Sequence, residues 1–219
     1  MVVREQFQLD LNDLQAKLLE LGELASVALK KSIEALETCN IEMALKVIDD
    51  DSEADALYEE INDFAILLIA KQAPVAIDLR RIIVAIKIAT DIERIADFAV
   101  NIAKSTIRIG NEEHVQSLQQ VKKMYNITTE MLELSLQAFG EEDVVKAKKV
   151  ADMDDEVDEL YGSTIRELLE LNHSYPENIP QMTQLSFICR YLERSADHVT
   201  NIAESIFYLV KGRHYDLNA

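Results

Sequence analysis

The stretch E-R-I-A-D-F-A-V-N-I-A, Glu93 to Ala103, returns as E-R-S-A-D-H-V-T-N-I-A, Glu193 to Ala203, at an offset of 100 with seven of eleven positions identical. In the first copy Ala96, Val100 and Ala103 fall at 4- and 3-residue steps, which marks one face of a helix. The stripe continues upstream through Ile82, Ile86, Ala89 and Ile92 and downstream to Ile107. A helix is therefore predicted from about Ala76 to Arg108, roughly 50 Å long at 1.5 Å per residue, with Gly110 as its C-terminal stop. Pro74 closes the helix before it, for which Asn40 is the candidate cap and Ala44, Val47, Ile48, Tyr58, Ile61, Ala65 and Leu68 form the apolar side. A first helix is read over residues 9 to 39, on Leu9, Leu11, Leu14, Leu18, Leu21, Ala25, Ala28, Leu29, Ile33 and Leu36. Three helices thus precede Gly110.

The same three follow it. K-V-I-D-D-D-S-E-A-D-A-L-Y, Lys46 to Tyr58, lies over K-V-A-D-M-D-D-E-V-D-E-L-Y, Lys149 to Tyr161, with eight of thirteen positions identical at an offset of 103. Internal similarity over about 100 residues implies one supersecondary unit used twice. The fall of the offset to 100 places a three-residue difference in the loop between second and third helices, where Pro74 answers Pro176 and Pro180. Gly110 to Val115 is polar and unpatterned and serves as the linker. The expected architecture is all-α: two tandem homologous three-helix bundles, six long helices, over residues 1–112 and 113–219.

Composition agrees. Five Gly and three Pro in 219 residues are too few for the turns of a β protein, given average usage of roughly 7 and 5 per cent. Twenty-two Lys plus Arg against 40 Asp plus Glu leave a net charge of −18 and a pI near 4.6. That excludes nucleic acid, which needs a basic footprint, and argues against an anionic membrane surface. The longest apolar run, Phe64 to Ala70, is far short of the roughly 18 residues a spanning helix needs. Arg4, Glu5 and Asp10 interrupt any leader-like segment. Cys39 and Cys189, outside any C-x-x-C context, are expected to be reduced and inert in a cytoplasmic protein.

Carboxylates recur at helical spacing in both repeats. Glu93 and Asp97 are an i, i+4 pair, repeated as Glu193 and Asp197; Asp51 and Asp55 are repeated as Asp154 and Asp158. Residues four apart share a face, and like charges there destabilise an isolated helix by a few tenths of a kcal/mol, a penalty a bound cation reverses. Asp51 and Asp55 fall on the flank of the stripe made by Val47, Ile61 and Ala65, and Glu93 and Asp97 beside Ile92 and Ala96, with Asn101 one turn further. Two flanks brought together put four carboxylates around one site per repeat. Oxygen donors suit Mg, Mn, Ca or Fe and do not by themselves select Zn. Spacing alone leaves cation binding and a solvated acidic seam both open.

Other residues carry less. Glu170-x-x-His173 fits the di-iron carboxylate signature, which needs two copies on two helices, and the chain has one. His198 follows Asp197, yet its counterpart is Phe98, so helix packing is its expected role. His114 and His214 fall in linker and tail. Arg80 and Arg81 make a small basic spot, either plain surface or a contact for an acidic partner. No phosphate-binding glycine loop, nucleophile elbow, H-E-x-x-H or paired-cysteine site is present, and no catalytic residue is assigned; the chain is not expected to be an enzyme.

The doubled E-R-x-x-D-x-x-x-N, the doubled D-x-x-x-D ahead of Leu-Tyr, and P-V-A-I-D-L-R from Pro74 to Arg80 resemble the PhoU family of phosphate-transport regulatory proteins over essentially the whole chain. The resemblance implies two similar three-helix bundles whose acidic motifs hold multinuclear metal clusters, iron first, with magnesium, manganese or zinc as alternatives. Carried over, the ligands are Asp51, Asp55, Glu93, Asp97, Asp154, Asp158, Glu193 and Asp197, with Asn101 and Asn201 second. It implies negative control of the phosphate-starvation response through a sensor histidine kinase and the ATPase of the phosphate-specific ABC transporter, at the inner face of the membrane through those partners. A homodimer is left open. The alternative is a metal-free helical adaptor with solvated acidic faces. The D-L-R element has no counterpart in the second repeat, where Pro180-Gln-Met-Thr183 stands.

Overall fold

The computed structural model describes residues 2–111, 114 and 118–217, the side chains of residues 2–4, 172 and 173 excepted. The chain runs α1 (Val2–Glu37), α2 (Ile41–Gln72), α3 (Ile77–Ile109), α4 (Gln119–Glu141), α5 (Val144–Ser174), a 3-10 turn at Pro176–Asn178, and α6 (Ile179–Lys211). The boundary expected between residues 112 and 113 lies outside the described residues. No helix among those described is long and apolar enough to cross a membrane.

Local chemistry sets the helix ends. Asn40, with extended backbone, accepts a hydrogen bond from the Met43 amide at 3.0 Å, satisfying a donor that the first helical turn leaves open. Asp143 does the same for α5, accepting from the Val145 and Lys146 amides at 2.8 and 3.3 Å. α2 stops at Ala73, left-handed at φ 44° just ahead of Pro74. Gly110 (φ 79°) and Gly212 (φ 74°) end α3 and α6 in the region glycine enters freely. α1 starts earlier than its stripe: Leu9 is exposed and the buried face begins at Leu11.

One expectation is corrected. The three-residue difference between repeats is not in the α2–α3 loop, because the α2–α3 and α5–α6 connections each span four residues. α5 instead ends one residue sooner after its Leu-Tyr than α2 does, and α6 begins two residues nearer its Glu-Arg than α3 does. Pro180 sits in the first turn of α6, where the missing N–H costs nothing, so the prolines start a helix there instead of lengthening a loop.

Within each repeat three helices pack on one another, and the two repeats then join through α3 with α6 and α1 with α4. α3 and α6 run antiparallel: Arg80 meets Leu209, Asp91 meets His198, and Phe98 stacks on Tyr191. On the other side Gly22 lets Leu136 of α4 come close, since a Cβ there would stand 2.4 Å from the leucine Cδ1. One hydrophobic core therefore runs through both repeats. α3 pays for its central place with a second buried row, Ile88, Ile95 and Ile102, turned toward α6 beside the predicted row of Ile82, Ala89, Ile92, Ala96 and Ala103; Ile86 and Ile107 are only half-buried.

Candidate functional site

α2 lies antiparallel to α3 as the middle helix of its bundle, and α5 stands likewise against α6. The acidic flanks of each pair meet in a seam. In the first seam Asp51 and Glu93 are half-buried and Asp55 is exposed. Burial, then repulsion from Asp55 and Asp97, raises the Asp51 carboxyl above its ordinary range, with Lys104 opposing. Burial and Asp97 raise Glu93, opposed by Arg94 and pushed further by Asp55 and Asp51. Asp51 and Glu93 thus both feel the charge of Asp55 and Asp97. Arg94 spans two of them, with Nε 3.6 Å from Glu93 Oε2 and Nη1 2.8 Å from Asp97 Oδ2.

The second seam is deeper. Asp154 is 6% exposed and Glu193 9%. Desolvation, then Asp197 and Asp158, pushes Asp154 up to about 6. Desolvation and Asp197 push Glu193 up to about 7 against the pull of Arg190. Partial burial and Asp197 raise Asp158 as well. Arg190 pairs with Glu193 Oε1. The Thr200 hydroxyl faces Asp154 and eases its charge slightly, but no hydrogen bond of ordinary length and angle joins them, so Asp154 Oδ1, Glu193 Oε2 and Thr200 Oγ1 are buried with no hydrogen-bond partner in the protein. Buried oxygens are normally paired; three orphans in one seam form an all-oxygen set suited to a hard cation. Even so, among the described residues no three Asp, Glu, His or Cys side chains converge closely enough to ligate one ion, and drawing the four together requires side-chain rotation.

All eight motif carboxylates therefore lie in the two seams, four to each. The two asparagines do not complete them. Asn101 is half-buried on α3 and makes no hydrogen bond to a motif carboxylate. Asn201 turns away and donates to Asp91 Oδ1 at 3.3 Å across the α3–α6 contact, because eight residues past Glu193 the helix has rotated about 80°. Thr200, at seven residues, stays in line, and the residue patterns did not single it out since its counterpart is Val100. Arg94 and Lys104 were missed for a similar reason: charge of the opposite sign inside an acidic face looks like ordinary surface.

The remaining candidates have structural roles. Arg80 donates to the Leu209 carbonyl at 3.1 Å and lies over the Tyr208 ring, and Arg81 pairs with Glu142 at 2.8 Å and Asp78 at 3.3 Å. Arg80 of the D-L-R element thus fastens α3 to the end of α6, the next residue, Arg81, fastens it to the end of α4, and neither arginine is a free basic spot. His198 Nδ1 is 2.9 Å from Asp91, a packing role as expected. His114 Nε2 is 2.8 Å from the Leu36 carbonyl, and His214 stacks on Tyr208. Glu170 is exposed; the side chain of His173 lies outside the described residues. Neither cysteine is in a disulfide; Cys39 Sγ lies 3.6 Å from His114 Nε2, and burial pushes the Cys189 thiol up to about 12.

Fold and seams define an all-α protein made by duplication of a three-helix unit, with one acidic seam per copy. The chain belongs to the PhoU family: the PhoU domain matches residues 18–106 and again 121–206. It is 39% identical to a phosphate-specific transport system accessory protein PhoU homolog of Clostridium acetobutylicum over 99% of this chain and 100% of that one. It is 38% identical to the homolog of Zymomonas mobilis over 94% of this chain and 87% of that one. The crystal structure of the phosphate transport system regulatory protein PhoU from Streptococcus pneumoniae superposes with a TM-score of 0.90 at 30% identity, covering 96% and 99% of the two chains. Members of this family are accessory and regulatory proteins of a phosphate transport system.

Proposed function

We propose that this protein restrains the phosphate-starvation response by coupling the ATPase of a phosphate-specific ABC transporter to a sensor histidine kinase, with cations held at both acidic seams. The observation that carries the cation reading is the set of buried oxygens at Asp154, Glu193 and Thr200 without protein partners. Asp51, Asp55, Glu93 and Asp97 would hold a cation in the first seam, and Asp154, Asp158, Glu193 and Asp197 in the second. Its chemistry there is neutralisation of like charges, iron, manganese and magnesium all suiting the donors. The chain's own part is to fix four carboxylates against a rigid shared core, so that seam charge alters the outer faces of α2 and α5. Family membership and the match to transport accessory proteins over nearly the whole chain support the coupling role. The test is deletion in the native host: starvation-induced genes should be expressed in phosphate-replete medium and silenced again by the wild-type chain. Unchanged repression in the deletion strain would overturn the role.

A second reading, a metal-free helical adaptor, is favoured by the open spacing of the carboxylates. Elemental analysis of protein purified without affinity metal or chelator separates the two. Retained hard-metal ions, lost with a fall in melting temperature on chelation, support cation binding; metal-free protein whose melt ignores added Fe, Mn or Mg supports the adaptor.

A further inference from the structure

The two repeats leave a cavity where they meet. Four helices close on it, α1 and α3 of the first repeat and α4 and α6 of the second. We infer that this cavity is the anchor pocket of a protein-docking surface, receiving one tryptophan or tyrosine ring from a partner segment that carries basic residues on either side of it. The inference rests on the reading that the protein works by docking to protein partners; the acidic seams take no part in it.

Size and lining select the ring. The cavity has a volume of about 180 Å3; an apolar cavity of about 150 Å3 is enough to hold benzene, whereas sites for whole small molecules begin at roughly 300 Å3. One aromatic ring fills it. The floor is Leu11, Leu14, Ala85, Phe139 and Leu209, all buried, so a ring placed there exchanges water for apolar surface. The rim is made of amides: Gln8, Asn12 and Gln15 succeed one another at steps of four and three on α1 and share one face. Gln8 Nε2 donates to Asn12 Oδ1 at 3.1 Å. Gln15 is half-buried at the edge, and no hydrogen bond among the described residues engages its side chain. Its carboxamide is placed to accept the indole N–H or phenol O–H that a buried tryptophan or tyrosine has to satisfy. Gly140, in the last turn of α4, keeps the mouth clear, since a Cβ there would stand 3.1 Å from Gln15 Nε2.

Charge selects the flanks. Among the described residues that line the cavity the one cation is Arg81, and it is engaged, through Nε with Glu142 at 2.8 Å and through Nη1 with Asp78 at 3.3 Å. An anion finds no open counter-charge at this mouth, and it approaches a chain of net charge −18. The same field draws a basic segment in. Exposed apolar side chains stand next to the lining residues in the chain: Leu9 after Gln8 is 60% exposed, Ile77 one turn before Arg81 is 42% and Val145 just past Glu142 is 76%. Interface hot spots combine an aromatic anchor in a pocket with surrounding contacts that exclude water. Both repeats supply the walls, so an anchored partner would grip the junction between them.

The protein contains no tryptophan, so the emission of a tryptophan peptide reports that peptide's own burial. The probe is the peptide K-K-L-W-L-K-K, titrated with the full-length protein, and its emission should shift to the blue and saturate. The alanine twin K-K-L-A-L-K-K should compete poorly, and the acidic twin E-E-L-W-L-E-E should show no shift. Gly140→Leu, which fills the mouth from an exposed helix position, should weaken the probe about tenfold. Gln15→Leu should weaken it about fivefold, the scale of one hydrogen bond, and circular dichroism melts check that both variants fold. A shift undiminished in both folded variants puts the peptide elsewhere and overturns the pocket. No shift with wild type, equal binding of the acidic twin, or an alanine twin that competes as well as the probe overturns it too. Displacement of the probe by adenosine would make the cavity a small-ligand site and overturn the docking reading. Because the probe reads the pocket directly, its failure leaves the coupling role to the deletion experiment, and failure of that experiment leaves peptide binding at the pocket standing.

Discussion

Glu193 gives the sharpest test of the second seam's electrostatics. Its carboxyl is raised from an ordinary 4.5 to about 7 by desolvation and by Asp197, with Arg190, Asp158 and Arg194 the other charges facing it. In metal-free protein the folded state therefore holds a proton that the unfolded state has released between pH 4.5 and 7. Stability from this group is fully present below pH 4.5 and is lost as pH rises through 7. At ~1.4 kcal/mol per tenfold change in proton affinity the loss by pH 8 is about 3 kcal/mol, or about 6 to 12 °C in melting temperature for a chain of this size. Glu193→Gln cannot ionise and keeps the neutral shape. In chelator, wild type and variant should melt together at pH 4, where this position is largely uncharged in both folded and unfolded chains, and the variant should be the more stable by about that amount at pH 8. Taking the difference removes the repulsion that every other carboxylate of a −18 chain adds. Two melting curves that stay parallel from pH 4 to pH 8 would refute the account of Glu193 as a buried, repelled carboxylate.

Other outcomes follow from single contacts. Thr200→Val removes a buried hydroxyl without a partner and should stabilise the metal-free protein by about 1 kcal/mol, checked by urea denaturation. Arg80→Ala frees the Leu209 carbonyl and uncovers Tyr208, and should cost about 1 to 2 kcal/mol, seen as faster amide exchange at the end of α6. Asn40→Ala removes the α2 cap and should cost about 1 kcal/mol in the same denaturation assay. Ile95→Ala, in the fully buried row of α3 toward α6, should cost about 2 to 5 kcal/mol; two separate unfolding transitions in that variant would contradict a core shared by both repeats.

The duplication, the six helices and the placing of eight carboxylates in two seams were legible in the sequence, because they depend on local periodicity: residues four apart share a face whatever the helix later touches. The caps and stops were legible for the same reason, Asn40 and Gly110 acting on their own turns of backbone. What the sequence left undetermined is set by contacts between residues far apart in the chain. The union of the two repeats was not visible, since Ile88, Ile95 and Ile102 take their burial from α6 packing antiparallel on α3, and an apolar row looks the same whether it covers its own bundle or joins another. Arg80 binding Leu209, Asn201 leaving its seam for Asp91, and Arg194 crossing to Phe98 are likewise decided by what lies opposite. The sequence by itself determined that this protein is a doubled three-helix unit with an acidic pair on each facing flank. Only the tertiary structure decided how deeply each pair is buried and which cations stand beside it, because desolvation and ion pairing depend on neighbours that helical periodicity does not specify.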